Sequence, residues 1–288
     1  TIIVGIFLPI RFILNYFSSL ENKANIVAFI AKIIIGRPIM IGVEGLIGAG
    51  KSTFLSAFRK KNITILTEPI EIWQNVSLGL VNDKLVSDSF SLDDKNLMKK
   101  FDNNPNRYSY SFQSLVYITK INNIIQALRS SLSSSYILIE RTCLCDKLIF
   151  ANMLYENNVM DKTEWLTHSH WYEKTMHIFN LVPQGIVYLN VNPLCAKQRV
   201  EKRNRNEEKN VVTDDYLASL YEYHEKWLGG DKKYLYYDKT KYFVERIDWS
   251  KNSKNPVEQA LAHEDILYKM IWDISTNIIY DYCKSWWP

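Results

Sequence analysis

A glycine-rich run at residues 45–52 carries the clearest chemical signal in the sequence. Gly45–Ser52 fits the pattern G-x-x-x-x-G-K-[ST], with an apolar run before it and a helical pattern after it. Glycines let successive N–H groups point at phosphate oxygens, while Lys51 would bridge the β- and γ-phosphates and Ser52 would reach Mg²⁺. The sequence therefore predicts binding of a nucleoside triphosphate, ATP or another, together with Mg²⁺. The residues expected at the phosphates are Gly45, Gly48, Ala49, Gly50, Lys51, Ser52 and Thr53.

Charged side chains follow two other apolar runs that predict buried strands. Glu68 comes shortly after residues 63–66, and Glu140 and Arg141 follow residues 136–139 directly. Because ligands bind beyond the carboxyl ends of parallel strands, we expect these side chains near the glycine-rich loop. A carboxylate in that place can orient a hydroxyl for in-line attack on a phosphate. The alternatives are a solvated loop acid for Glu68 and a surface ion pair for Arg141.

Short apolar runs alternate with helical patterns along the chain. We expect strands at residues 39–44, 63–66, 136–139 and 186–191. We expect helices at 52–60, 92–101 and 112–130, and further helical segments after Arg141 to about residue 181. Pro193 and Pro256 each open a further helix. This alternation predicts an α/β fold, with a parallel sheet flanked by helices on both faces.

Composition and charge fit a soluble globular protein. A formal net charge of +4 is mild and suits a site for a polyanion, and no basic stripe with interleaved aromatic residues indicates a nucleic-acid partner. Four cysteines are too few and too scattered for a secreted disulfide framework, which favours a reducing compartment. Cys143 and Cys145 lack a second pair at zinc spacing, so we expect no metal site there.

Residues 1–38 are apolar and differ from the rest of the chain. Their apolar stretches, 1–17 and 24–35, are interrupted by residues such as Pro9 and Lys32, and neither reaches the ~20 apolar residues of a membrane-spanning helix. The segment is either a targeting extension, a packing element or dispensable for the fold. We therefore expect a cytoplasmic protein, or a mitochondrial one if the segment is a transit peptide.

Further motifs follow in order along the chain: Glu68-Pro69 with Trp73, Tyr110–Ser114, Glu140–Thr142, Phe150–Glu156 and Arg199 through Glu208. Together they resemble the motifs of the deoxyribonucleoside kinases, which include deoxycytidine, deoxyguanosine and mitochondrial thymidine kinases and viral members. The resemblance covers about residues 39–229, within a kinase domain expected at 39–288. It implies a P-loop kinase fold, an arginine-bearing lid at about 199–212, nucleotide salvage as the role and a homodimer.

The resemblance also implies a role for individual residues. Glu68 would take the proton from the 5′-hydroxyl of the nucleoside, Arg141 would neutralise developing charge, and Lys51 would complete the catalytic set. Ser52 and Glu140 would hold Mg²⁺. The nucleoside pocket would include Trp73, Phe112, Gln113 and Phe150, with Gln113 reading the base, and Glu208 would reach the sugar 3′-hydroxyl. The lid arginines would be Arg199, Arg203 and Arg205; a solvated basic helix end is the alternative.

The sequence departs from the family pattern at the sugar and at the base. Phe101, which has no hydroxyl, stands where the family has a tyrosine, and Asp102 is the alternative acceptor for the sugar. Asp146 matches the acid of deoxycytidine and deoxyguanosine kinases, but its partner is Lys120 instead of arginine. This pair favours deoxycytidine or a purine deoxynucleoside over thymidine.

Other functions are compatible with part of the pattern. A nucleoside monophosphate kinase such as thymidylate kinase shares the phosphate loop and the lid, but the motifs around Trp73 and Gln113 fit it poorly. A non-catalytic subunit is the other alternative, because an accessory subunit of respiratory complex I resembles these kinases. The charged residues Lys51, Glu68 and Arg141 disfavour a purely structural role.

Overall fold

A parallel β-sheet forms the centre of the molecule. The computed structural model describes residues 19–59, 63–76, 95–130, 134–203, 212–250 and 255–285. Within these residues, six strands form one sheet in the order β2-β3-β1-β4-β6-β5. Neighbouring strands are parallel except β5 and β6, which form an antiparallel hairpin. The strands are β1 (Ile39–Glu44), β2 (Thr64–Leu66), β3 (Tyr136–Glu140), β4 (Gly185–Asn190), β5 (Tyr234–Tyr237) and β6 (Thr240–Asp248).

Helices cover both faces of this sheet. Alternate residues of β1 enter different hydrophobic clusters, with Ile41 on one face and Met40 on the other, because successive side chains of a strand point in opposite directions. The predicted α/β class is confirmed. The helices are α1 (Leu20–Ile35), α2 (Lys51–Ser56), α3 (Ile70–Gln74), α4 (Leu97–Asn103), α5 (Pro105–Ser130), α6 (Cys143–Cys145), α7 (Asn152–Glu156), α8 (Lys162–Phe179), α9 (Pro193–Arg203), α10 (Asp214–Leu228), α11 (Pro256–Ala262) and α12 (Glu264–Ser285), and a π-helical turn (Asp146–Ala151) joins α6 to α7.

Helix α1 packs against α12 with a face made of small residues. Ser19 caps its start, Gly36 ends it at φ 71°, and Lys32 donates a hydrogen bond to the carbonyl of Ser134 at 2.9 Å. None of the helices within the described ranges is long and apolar enough to cross a membrane. Residues 20–35 form a helix that packs against α12, whereas residues 1–18 lie outside the described structure. The buried residues of α1 are Ala24, Val27, Ala28 and Ala31.

Several elements differ from those expected from the sequence. The helical pattern that starts at Pro256 is interrupted at His263, so two helices replace one. Residues 234–243, which no predicted element covers, form most of the β5–β6 hairpin. The helical stretch after Arg141 is divided by the π-helical turn, in which each turn contains about one residue more than in an α-helix.

Candidate active site

The glycine-rich loop connects β1 to α2 in a conformation that larger residues could not adopt. Gly48 and Gly50 have φ angles of 81° and 92°, and a Cβ atom on Gly48 would lie 2.4 Å from the carbonyl oxygen of Ala196. The loop wraps around Lys51, whose ammonium group donates to the carbonyl oxygens of Gly45 at 3.1 Å and Leu46 at 2.9 Å. Burial, followed by the charge of Arg141, lowers the pKa of Lys51 to about 8.

Ser52 and Glu140 meet beside this loop. The Ser52 hydroxyl donates a hydrogen bond to Glu140 Oε1 at 2.7 Å, joining the first turn of α2 to the end of β3. A hydroxyl and a carboxylate are oxygen ligands of the kind that Mg²⁺ accepts together with phosphate and water. The described residues contain no group of three or more His, Cys, Asp or Glu side chains that could hold a metal by themselves. The pair fits a cation that arrives with a triphosphate.

Glu68 and Arg141 form an ion pair at the carboxyl ends of β2 and β3. Arg141 Nη1 lies 2.8 Å and 3.0 Å from the two carboxylate oxygens of Glu68, and Lys120 Nζ lies 3.7 Å from Oε1. Burial alone would raise the pKa of Glu68, but the charges of Arg141, Lys120 and Lys51 outweigh it and lower the pKa to about 2. Glu68 is therefore a carboxylate throughout the physiological pH range.

A second ion pair lies deeper, between Lys120 of α5 and Asp146 of the π-helical turn. Their Nζ and Oδ1 atoms are 2.6 Å apart, and the side chains are 5% and 1% exposed. The carboxylates of Asp146 and Glu68 outweigh the effect of burial and raise the pKa of Lys120. Asp146 Oδ2 and Gln113 Oε1 are buried acceptors without a hydrogen-bond partner among the described residues. Both residues line the same cavity.

Aromatic side chains form the walls around these polar groups. Phe101 and Phe112 stack with ring centroids 4.7 Å apart, and Trp73 meets Phe112 edge to face at 5.9 Å. Trp73 is fixed by a 3.0 Å hydrogen bond from its indole N–H to Thr119. On the other side, the Arg141 guanidinium lies over the ring of Phe150, 5.1 Å from its centroid. A planar ring would find apolar faces in this space.

One cavity of about 980 Å³ joins the phosphate loop to the aromatic walls. Lys120 does not line this cavity, but it contacts Asp146, which does. Gly45 and Ala49 contribute to the shape of the phosphate loop and do not line the cavity either. Arg205 and Glu208 lie outside the described residues. The predicted residues that line the cavity are Gly48, Gly50, Lys51, Ser52, Thr53, Glu68, Trp73, Phe101, Phe112, Gln113, Glu140, Arg141, Asp146, Phe150, Arg199 and Arg203.

The described part of the predicted lid begins on α9. Arg199 donates hydrogen bonds to the carbonyl oxygens of Ala49 at 3.0 Å and Trp249 at 2.8 Å, which ties α9 to the phosphate loop and to the end of β6. Arg203, at the end of α9, lines the cavity. The closing of these arginines over a triphosphate stays a prediction.

Several residues of this region were not predicted from the sequence, and three of them contribute to the description of the site. Tyr216 of α10 and Trp249 line the cavity, and Glu44 is completely buried beside it. Glu44 directly precedes the glycine-rich loop and is indistinguishable from an ordinary strand end in the sequence. Tyr216 lies beyond the predicted lid, where only the spatial fold brings it to the site.

The chain was compared with known proteins. The family model of the deoxynucleoside kinases matches residues 41–268. A probable deoxycytidine kinase of fowlpox virus is 31% identical over 67% of this chain and 73% of its own length. Human deoxycytidine kinase is 30% identical over 65% of this chain and 74% of its own length. The mitochondrial deoxyguanosine kinase of Xenopus laevis is 31% identical over 65% of this chain and 72% of its own length.

Proposed function

We propose that this chain, which belongs to the deoxynucleoside kinase family, transfers the γ-phosphoryl group of ATP to the 5′-hydroxyl of a deoxyribonucleoside in nucleotide salvage. The observation that carries this proposal is the position of the Glu68–Arg141 pair, which lines one cavity together with Lys51 and Gln113. A donor phosphate and an acceptor nucleoside can therefore meet at one carboxylate.

Glu68 would hold the 5′-hydroxyl in line with the γ-phosphate and receive its proton. A carboxylate with a pKa of about 2 is a weak base. Because the transition state of phosphoryl transfer is loose, the hydroxyl needs orientation more than early deprotonation, so a weak base is sufficient. Arg141 and Lys51 would neutralise the charge that develops on the transferred group.

Ser52 and Glu140 would hold Mg²⁺ bound to the triphosphate. Their oxygen atoms are already adjacent, at 2.7 Å, and belong to the ligand class that this ion prefers. The ion would supply positive charge at the phosphate oxygens. The lid arginines Arg199 and Arg203, with Arg205 beyond the described residues, would add donors from the opposite side of the cavity.

The base pocket favours an exocyclic amino group. Gln113 Oε1 and Asp146 Oδ2 are buried acceptors that lack a partner among the described residues, and such atoms cost free energy unless a ligand donates to them. The amino groups of cytosine, adenine and guanine are donors, whereas thymine has a carbonyl oxygen, an acceptor, in place of the amino group of cytosine and a methyl group on the neighbouring carbon. We therefore propose deoxycytidine or a purine deoxynucleoside as the preferred substrate. Glu208, Asp102 and the ring of Phe101 would surround the sugar.

We further propose a homodimer formed through α5 and α8. Large apolar side chains on these helices are exposed to solvent, with Trp171 64% and Ile178 69% exposed. A surface of this kind is more typical of an interface than of a free face. Sedimentation equilibrium should give twice the chain mass of 33.8 kDa, and Trp171→Asp should give the single chain mass.

For the location of the protein in the cell we propose the cytoplasm. A reporter fused to residues 1–38 that enters mitochondria would contradict this proposal.

The reaction is tested with purified protein, γ-labelled ATP and Mg²⁺. The acceptors are the four deoxynucleosides and, separately, their monophosphates. We expect labelled monophosphates from deoxynucleosides, no transfer without Mg²⁺, and a loss of kcat of about 10²- to 10⁴-fold in Glu68→Gln, which keeps the shape of the side chain. Transfer to monophosphates alone would identify a nucleoside monophosphate kinase, and transfer to no acceptor would identify a non-catalytic protein.

A further inference from the structure

Glu44, the last residue of β1, connects two adjacent strand ends without lining the cavity. Its side chain is 0% exposed. Oε1 accepts hydrogen bonds from the backbone N–H of Thr142 at 2.7 Å and from the Thr142 hydroxyl at 2.6 Å. Oε2 has no partner within the described residues. Burial raises the pKa of Glu44, whereas the two bonds from Thr142 lower it. A carboxyl group buried at such a cost usually fixes something else in place.

The residue between these strand ends is Arg141, which has an unusual backbone. Its φ angle is 53°, in the left-handed region that L-residues other than glycine seldom adopt. Its N–H extends the β1–β3 ladder by donating to the carbonyl of Val43 at 3.1 Å. Such a conformation persists only where the surroundings determine it on both sides. The ladder fixes the N–H of Arg141, and Glu44 fixes the next N–H, that of Thr142.

Thr142 does not form the capping hydrogen bond that is usual for a threonine at its position. It occupies the N-cap position of α6, where a threonine hydroxyl normally accepts a hydrogen bond from the first turn, but its side chain makes no such bond. The hydroxyl donates to Glu44 instead. The methyl carbon of Thr142 lies 2.2 Å from the position that a Cβ atom on Gly42 would occupy. Only glycine at position 42 therefore allows Thr142 to lie this close to β1.

We infer that Glu44 is a positioning residue for catalysis: by holding the peptide that follows Arg141, it keeps the Arg141 guanidinium on Glu68 and at the site of phosphoryl transfer. Glu44 touches neither substrate in the proposed reaction, and its effect is exerted through Thr142 and Arg141. The kinetic part of the test rests on the proposed function, whereas a titration of Glu68 does not.

The kinetic test compares Glu44→Leu, which removes the acceptor, with Glu44→Gln, which keeps a carbonyl oxygen for Thr142. The control Tyr136→Phe removes a hydroxyl that donates to Asn25 at 3.2 Å and lies at the opposite end of the same strand as Glu140. Loss of a hydrogen bond to a charged group predicts a fall in kcat of about 10- to 100-fold in Glu44→Leu, with KM values within about threefold. Glu44→Gln and Tyr136→Phe should retain kcat within about threefold.

The second readout is the ionisation of Glu68, followed by NMR of ¹³C-labelled glutamate carboxyl groups and assigned with Glu68→Gln. Arg141, Lys120 and Lys51 face this carboxylate and lower its pKa. In the wild type, Glu68 should stay ionised to the lowest pH at which the protein is folded. If Arg141 moves away in Glu44→Leu, the pKa of Glu68 rises towards its ordinary value of about 4.5. In Tyr136→Phe it should stay low.

A folded Glu44→Leu protein with normal kcat and an unchanged Glu68 titration would overturn this inference. If Glu44→Leu does not fold, Glu44→Asp decides the question, because it keeps the charge and withdraws the carboxylate from both the N–H and the hydroxyl of Thr142. A raised Glu68 pKa in Glu44→Asp supports the positioning role, and an unchanged one refutes it. A wild-type protein that phosphorylates no deoxynucleoside would refute the proposed function, while the titration would still decide the role of Glu44.

Discussion

The Lys120–Asp146 pair allows the proposed base preference to be changed by design. Asp146 offers an acceptor to the cavity, and Lys120 supports it from behind at 2.6 Å. We consider Asp146→Ala, Lys120→Met and the double variant. Removing the carboxylate deletes the acceptor for an exocyclic amino group and leaves room for the methyl group of thymine. Replacing Lys120 as well removes the cation that would otherwise be left buried.

The expected magnitudes follow from burial. Removing one partner of a buried ion pair costs about 3–5 kcal/mol, because the other charge stays desolvated. Lys120 lies 3.7 Å from Glu68 and keeps that partner in Asp146→Ala, whereas Asp146 in Lys120→Met keeps no cation at this distance among the described residues. Lys120→Met should therefore be the less stable single variant. The double variant should be more stable than Lys120→Met, although it carries one substitution more.

For substrates, loss of a hydrogen bond to a charged group lowers kcat/KM for deoxycytidine by about 10- to 100-fold. Accommodation of one methyl group is worth about 1–3 kcal/mol, or 10- to 200-fold, for thymidine. The assay measures kcat/KM for both nucleosides with labelled ATP, and thermal unfolding of the four proteins gives the order of stabilities. If the double variant is folded and shows no gain in thymidine turnover, the assignment of Asp146 to the base pocket is wrong.

Three further predictions concern acid stability, the lid and the N-terminal helix. The lowered pKa of Glu68 stabilises the fold above its unfolded pKa of about 4.5, and this contribution, about 3 kcal/mol, is lost as the pH falls towards 2; Glu68→Gln should lose less stability than the wild type over this range in urea titrations. Arg199→Ala should raise the KM for ATP about 10- to 100-fold, since a charge-assisted hydrogen bond is worth about 1.5–3 kcal/mol; an unchanged KM would exclude Arg199 from ATP binding. Deletion of residues 1–38 exposes the face of α12 that α1 covers and should abolish cooperative unfolding in calorimetry; a normal transition would show that α1 is dispensable.

The sequence was sufficient for residues whose chemistry is local. The phosphate loop needs glycines at fixed positions, so Gly45, Gly50 and Lys51 can be recognised from spacing alone. Glu68 and Arg141 could be placed because parallel strands end at the same edge of a sheet. Their mutual contact at 2.8 Å follows from that placement. The α/β order was likewise visible, since buried parallel strands are continuous apolar runs.

The sequence could not reveal features that depend on tertiary contacts. Glu44 follows a buried strand and has no spacing relation to Thr142, its partner across the sheet. The packing of α1 depends on small residues facing α12, a pattern equally compatible with a targeting segment. Arg199 was expected at a triphosphate, and the structure adds that its guanidinium bridges the phosphate loop and the end of β6. Such a bridge is set by the approach of three elements that are distant in the chain.

The cations of the site share one property that links folding to the reaction. Lys51 and Arg141 are buried and Arg199 is half-buried. Lys51 donates to loop carbonyls, Arg141 to Glu68 and Arg199 to two further carbonyls, so each of these charges already has hydrogen-bond partners within the protein. Cations held in this way need no substrate to stay ionised. A triphosphate must then exchange these contacts for its own, and only the difference between the two sets contributes to affinity. Because the contacts of Arg141 are also those that lower the pKa of Glu68, a movement of Arg141 towards a bound phosphate would raise that pKa and, in the proposed reaction, would make Glu68 a stronger base.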